Sequence, residues 1–267
     1  MIIGILGKGG AGKSTISTSL VKIFSKKKKV LAIDADHNMD LTYNLGITET
    51  FPYLGSAMPF LKEMIGLSSD QNYREALFKN KQGFFHLNNP DKFTQKYTFN
   101  ISENIKLMTA GSQTEDILND KSCSHVLFTP LKIYLPLLAL EKDECVIVDE
   151  KAGADGASTG IPTGFDVAFI VAEPTIHGVK TAHQIGDILD RFYVPYEFIL
   201  NKFNINKYEK LPERLRKEPI SKISITDDVE NINKEEYKNI IDFLENKEID
   251  QIKRFNRSLE KFISLKK

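Results

Sequence analysis

The run Gly7-Lys8-Gly9-Gly10-Ala11-Gly12-Lys13-Ser14-Thr15 carries the clearest chemistry in the chain. Its glycines allow backbone N–H groups to turn inward around phosphate oxygens. Lys13 can reach the β- and γ-phosphates of a bound nucleotide, and the Ser14 hydroxyl can ligate Mg²⁺. The loop needs a strand before it and a helix after it. Met1–Leu6 is apolar and reads as a buried strand, and Ile16, Leu20, Val21, Ile23 and Phe24 fall at helical spacing. The helix N-terminus would add partial positive charge beneath the phosphates.

Two further strand ends offer carboxylates. One is Asp34-Ala35-Asp36-His37-Asn38-Met39-Asp40 and the other is Val146-Ile147-Val148-Asp149, followed by Glu150-Lys151-Ala152-Gly153. In an open α/β sheet, ligands bind beyond the carboxyl ends of strands. Asp36 is then placed to orient an attacking water, and Asp149 to hold Mg²⁺ directly or through water. Asn201-Lys202-Phe203-Asn204 follows another strand. Guanine-selective loops carry an Asp where this chain has Asn204, so ATP is expected, with Asn201 as the base contact.

With Lys8 preceding the loop glycines, the string resembles the deviant Walker A motif of the MinD/ParA/nitrogenase iron protein class of ATPases. The resemblance implies an ATP-dependent homodimer in which Lys8 reaches the partner's nucleotide. It also implies that Gly9, Gly10, Ala11, Gly12, Lys13, Ser14 and Thr15 bind nucleotide, and that Lys8, Lys13, Asp36 and Asp149 are catalytic. Asp36 matches the switch I acid and Asp40 a second one. Gly153 matches the switch II glycine that senses the γ-phosphate. Asp34–Leu41, Ile147–Gly153 and Val171–Thr175 through Val179–Ala182 are similar to CooC-type ATPases, which serve nickel insertion into carbon monoxide dehydrogenase.

Cys123 and His125 stand two apart, just before an expected helix over Leu127–Leu140. Two copies across a two-fold axis would make four ligands, a set that suits Zn²⁺ or Ni²⁺. CooC-type ATPases carry C-x-C at this place, and here His125 replaces the second cysteine. The plainer alternative is a small buried Cys beside a solvated His. Cys145 lies within an apolar strand and reads as core. With two cysteines in all, a disulfide framework is not expected and a reducing cytosol is.

The elements that must position these residues alternate. Apolar runs at Ile2–Leu6, Val30–Ile33, Ile105–Thr109, Cys145–Val148, Val167–Ala172, Glu197–Leu200 and Ile220–Ser224 read as strands buried on both faces. Helical patterns, such as Val179–Phe192, lie between them. The expected fold is α/β: a doubly wound, mostly parallel sheet flanked by helices, in one domain over 1–267. An irregular edge insertion is expected at about 51–104, and a C-terminal helix at about 248–265. That helix has an apolar stripe (Ile249, Ile252, Phe255, Leu259, Phe262, Ile263) and a basic face (Lys253, Arg254, Arg257, Lys261). Docking of the stripe on the sheet, membrane contact and partner binding are all open to it.

The formal net charge of +0 gives no global field toward nucleic acid, and no nucleic-acid partner is expected. The first strand begins at once, leaving no room for a leader, so a cytoplasmic protein is expected. The resemblance implies an ATP-hydrolysing metallochaperone or maturation factor acting on a client metalloenzyme. A membrane- or DNA-positioning ATPase and an ATP-dependent iron–sulfur reductase are the alternatives. No convincing pair of cysteines flanks switch II, which weakens the last.

Overall fold

The computed structural model describes residues 1–111, 124–225 and 232–264. Its elements run β1 (Ile2–Gly7), α1 (Lys13–Phe24), β2 (Lys29–Ala35), α2 (Asp40–Asn44), α3 (Met58–Met64), α4 (Ala76–Lys79), β3 (Phe85–His86), α5 (Lys92–Tyr97), β4 (Phe99–Ser102) and β5 (Ile105–Thr109). They continue α6 (Leu131–Leu137), β6 (Leu138–Ala139), β7 (Glu144–Glu150), α7 (Gly153–Ser158), β8 (Val167–Ala172), α8 (Ile176–Arg191), β9 (Tyr196–Leu200), α9 (Ile205–Glu209), β10 (Ser221–Lys222), α10 (Lys234–Glu245) and α11 (Gln251–Ser264).

Among the described residues, eight strands form one sheet in the order β10-β9-β8-β1-β7-β2-β5-β4. All neighbours pair in parallel except β4 with β5. This is the expected doubly wound architecture. The continuous apolar strands form it because both faces are covered. In β7, Ile147 packs with Ile5, Ile16 and Leu20 on the α1 side, while Val146 and Val148 pack with Leu31, Ile33 and Leu135 on the other. Cys145 is buried in this strand, and burial pushes its thiol up to about 11, as a core residue's would be. Strand β1 lies between β7 and β8, so the chain leaves it on one side first and the other later. The loop after β1 therefore opens into the crevice where such sheets bind ligands.

Several elements differ from the sequence reading. The expected helix Leu127–Leu140 is a 3-10 turn, Ser124–Phe128, followed by α6. Pro130 caps α6 and Pro136 lies inside it, and neither can donate a backbone N–H. The chain then extends, so that Leu138 and Ala139 pair with Phe85 and His86. Helix α8 begins three residues before the expected Val179, because the Thr175 side chain accepts from Gly178 N at 3.0 Å. The segment at 51–104 contributes the edge strand β4, yet it also packs deeply. Phe85, Phe93, Tyr97 and Tyr134 stack with ring centroids 4.9–5.6 Å apart, and Thr94 Oγ1 hydrogen-bonds Tyr134 Oη at 3.0 Å.

The C-terminal helix docks through only part of its apolar stripe, Phe255, Leu259 and Phe262, and buries two arginines beside it. Arg254 and Arg257 of the basic face are buried along with Ser258, as is Phe262 of the apolar stripe, while Ile252 of that stripe is 65% exposed. The Arg254 guanidinium donates to both Asp166 oxygens, at 3.0 and 2.9 Å, and to Leu138 O at 2.6 Å. Arg257 donates to the carbonyls of Thr163, Tyr193 and Phe165. The two guanidiniums, rich in N–H donors, pair a buried carboxylate and four backbone carbonyls that a purely apolar stripe would leave unpaired.

Candidate functional site

Gly12 joins the loop to α1 with φ 90, a left-handed conformation that a side chain disfavours, and a Cβ there would collide with the Asn201 amide. Ala11 N closes a turn on Lys8 O at 3.1 Å. Lys13, at the first position of α1, is only 8% exposed, whereas Lys8, Gly9 and Gly10 form the exposed tip of the loop. A Cβ built on Gly9 would lie 3.8 Å from Ala152 Cβ, so the loop faces the residue that precedes Gly153. Gly153 opens α7 with φ 83. Ser14 and Thr15 follow Lys13 in the first turn of α1, the position where orphan amide groups face outward.

Beside Lys13, the ends of β2 and β7 bring acids together. Asp34 and Asp149 are register partners on adjacent strands, 0% and 1% exposed. Burial is the largest influence on Asp149 and raises it to about 6, against the pull of Lys13 and of hydrogen bonds from Ser14 and Ser17. The Ser17 bond is 3.1 Å long. Burial, then the Asp149 charge, raises Asp34 to about 7, although Thr42 donates to it through both N and Oγ1 at 2.8 Å. Asp34 Oδ1 also accepts from Asp36 N at 3.3 Å, so it anchors the loop that carries Asp36. Asp36 is buried, and its Oδ1 accepts from Asn38 N at 3.2 Å, with His37 Nδ1 3.4 Å away. Asp40 is exposed in the first turn of α2.

The Ser14 and Asp149 oxygens fit Mg²⁺. They are hard donors, they touch each other, and their small number leaves room for the waters and phosphate oxygens that Mg²⁺ keeps. A dication would also offset the cost of burying Asp149 and Asp34. Among the described residues, no group of three or more His, Cys, Asp or Glu converges to cage a metal. Cys123 lies outside the described residues, as does the His125 side chain.

On the other flank, Asn201 is buried and its Nδ2 donates to Ala11 O at 2.8 Å. Its amide nitrogen is thus held by the phosphate loop itself. Lys202 Nζ donates to Gly10 O at 2.7 Å and to Glu173 at 2.6 Å. Asn204 caps α9 by accepting from Lys207 N at 3.1 Å. Lys202, Glu173, Asp34 and Ser17 were not singled out by the sequence. Neither was Glu150, whose carboxylate is buried with no hydrogen-bond partner for either oxygen among the described residues. Burial and then Asp149 push Glu150 well above the usual range.

The chain as a whole is matched by known proteins. The chain is 30% identical over 228 residues to an uncharacterised ATP-binding protein of Methanocaldococcus jannaschii, covering 82% of this chain and 86% of that one. It is 29% identical over 188 residues to the carbon monoxide dehydrogenase accessory protein CooC of Rhodospirillum rubrum, covering 69% and 67%. The cell division ATPase MinD of Pyrococcus furiosus superposes with a TM-score of 0.55 at 18% identity, covering 99% of this chain and 98% of that one. A plasmid partition protein of Borrelia burgdorferi bound to AMPPNP gives 0.53 at 22%, with the same coverage. Both solved structures share the fold. The model of the CobQ/CobB/MinD/ParA nucleotide binding domain matches residues 2–241, and the chain belongs to that family of ATPases.

Proposed function

We propose that the chain hydrolyses Mg-ATP, that nucleotide switches it between one copy and a two-fold dimer, and that it serves as a metallochaperone or maturation factor for a client metalloenzyme. The observation that carries the proposal is the meeting of Lys13, Ser14, Asp36 and Asp149 at the carboxyl ends of β1, β2 and β7. The loop amides and Lys13 hold the β- and γ-phosphates. Ser14 and Asp149 hold Mg²⁺, which when bound draws charge from the phosphate oxygens. Asp36, fixed by the Asn38 amide, orients the attacking water. Gly153 N–H, at the start of α7, meets the γ-phosphate and couples it to the small-residue segment that follows. With Asn201 Nδ2 held by Ala11, its base contact falls to Oδ1, an acceptor suited to adenine's amino group.

Lys8 is exposed at the loop tip, which suits a residue that acts on a partner's nucleotide. Light scattering of the Asp36→Ala protein tests this switch. Its mass should rise from monomer to dimer with Mg-ATP, and adding Lys8→Ala should prevent the rise. A monomer in every nucleotide state, with hydrolysis intact in the parent protein, overturns the trans role of Lys8.

The maturation role rests on the likeness to the carbon monoxide dehydrogenase accessory protein. It assigns Cys123 and His125 of two copies to one Zn²⁺ or Ni²⁺. Titration of reduced protein should give about one metal per dimer, and Cys123→Ser or His125→Ala should abolish uptake while sparing ATP binding. A positioning ATPase is the second reading, favoured by the likeness in fold to the cell division and plasmid partition proteins. The burial of Arg254 and Arg257 counts against a membrane route through α11.

A further inference from the structure

Three loops meet where Lys202 sits. Its ammonium lies 2.7 Å from Gly10 O and 2.6 Å from a Glu173 oxygen, and the preceding Asn201 donates to Ala11 O at 2.8 Å. Lys202 takes φ 53, a left-handed conformation that is costly for a residue with a Cβ. That turn places successive side chains, Asn201 and Lys202, against successive carbonyls of the phosphate loop.

The consequence follows from the peptide unit. No cis bond occurs among the described residues, so each C=O opposes the next N–H. Drawing Gly10 O toward Lys202 turns Ala11 N–H the other way, where it closes on Lys8 O at 3.1 Å. Drawing Ala11 O toward Asn201 likewise turns Gly12 N–H away from Asn201. The two carbonyls that would repel phosphate are tied back by an ammonium and an amide. Glu173 holds that ammonium and offsets its charge, so it stays on the loop rather than swinging to the nucleotide.

We propose that Lys202, held by Glu173 and working with Asn201, is a positioning residue that keeps the phosphate loop in its binding shape before nucleotide arrives. This rests on the reading of the loop as an ATP site. The preformed shape lowers the ordering cost of binding and acts on phosphate, not on the base.

Calorimetric titration of the full chain with Mg-ATP and with magnesium tripolyphosphate, which has no base, separates these roles. Wild type should bind both. Lys202→Met should weaken both by a similar factor, about tenfold or more. Glu173→Gln should weaken both by less, and the double variant should be no weaker than Lys202→Met alone. If Lys202→Met does not fold, Glu173→Gln carries the test by itself. Tripolyphosphate binding left at wild-type strength in the folded variant overturns the proposal. So does a loss confined to ATP, which would put Lys202 on the base or ribose. Wild type that binds neither probe overturns the ATP reading of the loop, and the positioning role with it.

Discussion

Asp34 and Asp149, side by side on neighbouring strands, share the cost of burying two carboxyls. Burial raises Asp149 to about 6 and, with the Asp149 charge, Asp34 to about 7. A carboxyl raised above its unfolded value binds protons more tightly in the folded state. Its contribution to stability is therefore full at low pH and is lost as pH rises from about 4 through about 7. Without nucleotide or Mg²⁺, the melting temperature should fall between pH 5 and pH 8, and Asp34→Asn should flatten the fall. Mg²⁺ competes with these protons, so its stabilising effect should grow over the same window. Calorimetric melts at several pH values check both, and a melting temperature that rises with pH would contradict the assignment. At the nucleotide, Lys13→Ala removes a buried charge from the β- and γ-phosphates and should weaken ATP by about 3 kcal/mol or more. Asp36→Ala should keep binding within a few-fold but slow turnover by roughly 10²–10⁴. Equilibrium titration and single-turnover phosphate release separate the two.

At the scale of elements, α11 is held by buried ion pairing as well as by part of its apolar stripe, Phe255, Leu259 and Phe262. Arg254→Ala leaves Asp166 buried without its guanidinium and should cost about 3–5 kcal/mol in urea unfolding. Exposed Lys253, one residue earlier, should cost less than about 0.5 kcal/mol when replaced by alanine. Equal effects would mean that the helix is not docked through Arg254. This face was hidden from the sequence because periodicity treats every arginine as solvated, whereas its five donors can satisfy carbonyls at a buried junction. The inner strands were legible for the opposite reason, since burial on both faces leaves an unbroken apolar run, as in Ile2–Leu6 and Val167–Ala172. The edge strand β4 is half exposed and only four residues long, Phe99-Asn100-Ile101-Ser102, an alternation too short to stand out from the irregular segment before it. In the site, local spacing revealed Lys13, Ser14 and the strand-end acids. Lys202 escaped because its bonds to Gly10 and Glu173 span 192 and 29 residues of chain, distances that no local pattern encodes.

The whole molecule gathers its chemistry on one side of one sheet. Strand β1 between β7 and β8 sets the phosphate loop in the crevice, β2 and β7 deliver the acids, and β8 and β9 deliver Glu173, Asn201 and Lys202. Lys8 stands exposed above them, and in this account it does its work only on a second copy. Hydrolysis and assembly should then depend on each other. The most direct test is phosphate release from Mg-ATP, measured across protein concentration for wild type and Lys8→Ala. Mg²⁺-dependent release should rise per molecule with concentration toward a plateau, and Lys8→Ala should lose that rise. Release that is absent, or that is independent of concentration and untouched by Lys8→Ala, would contradict this expectation.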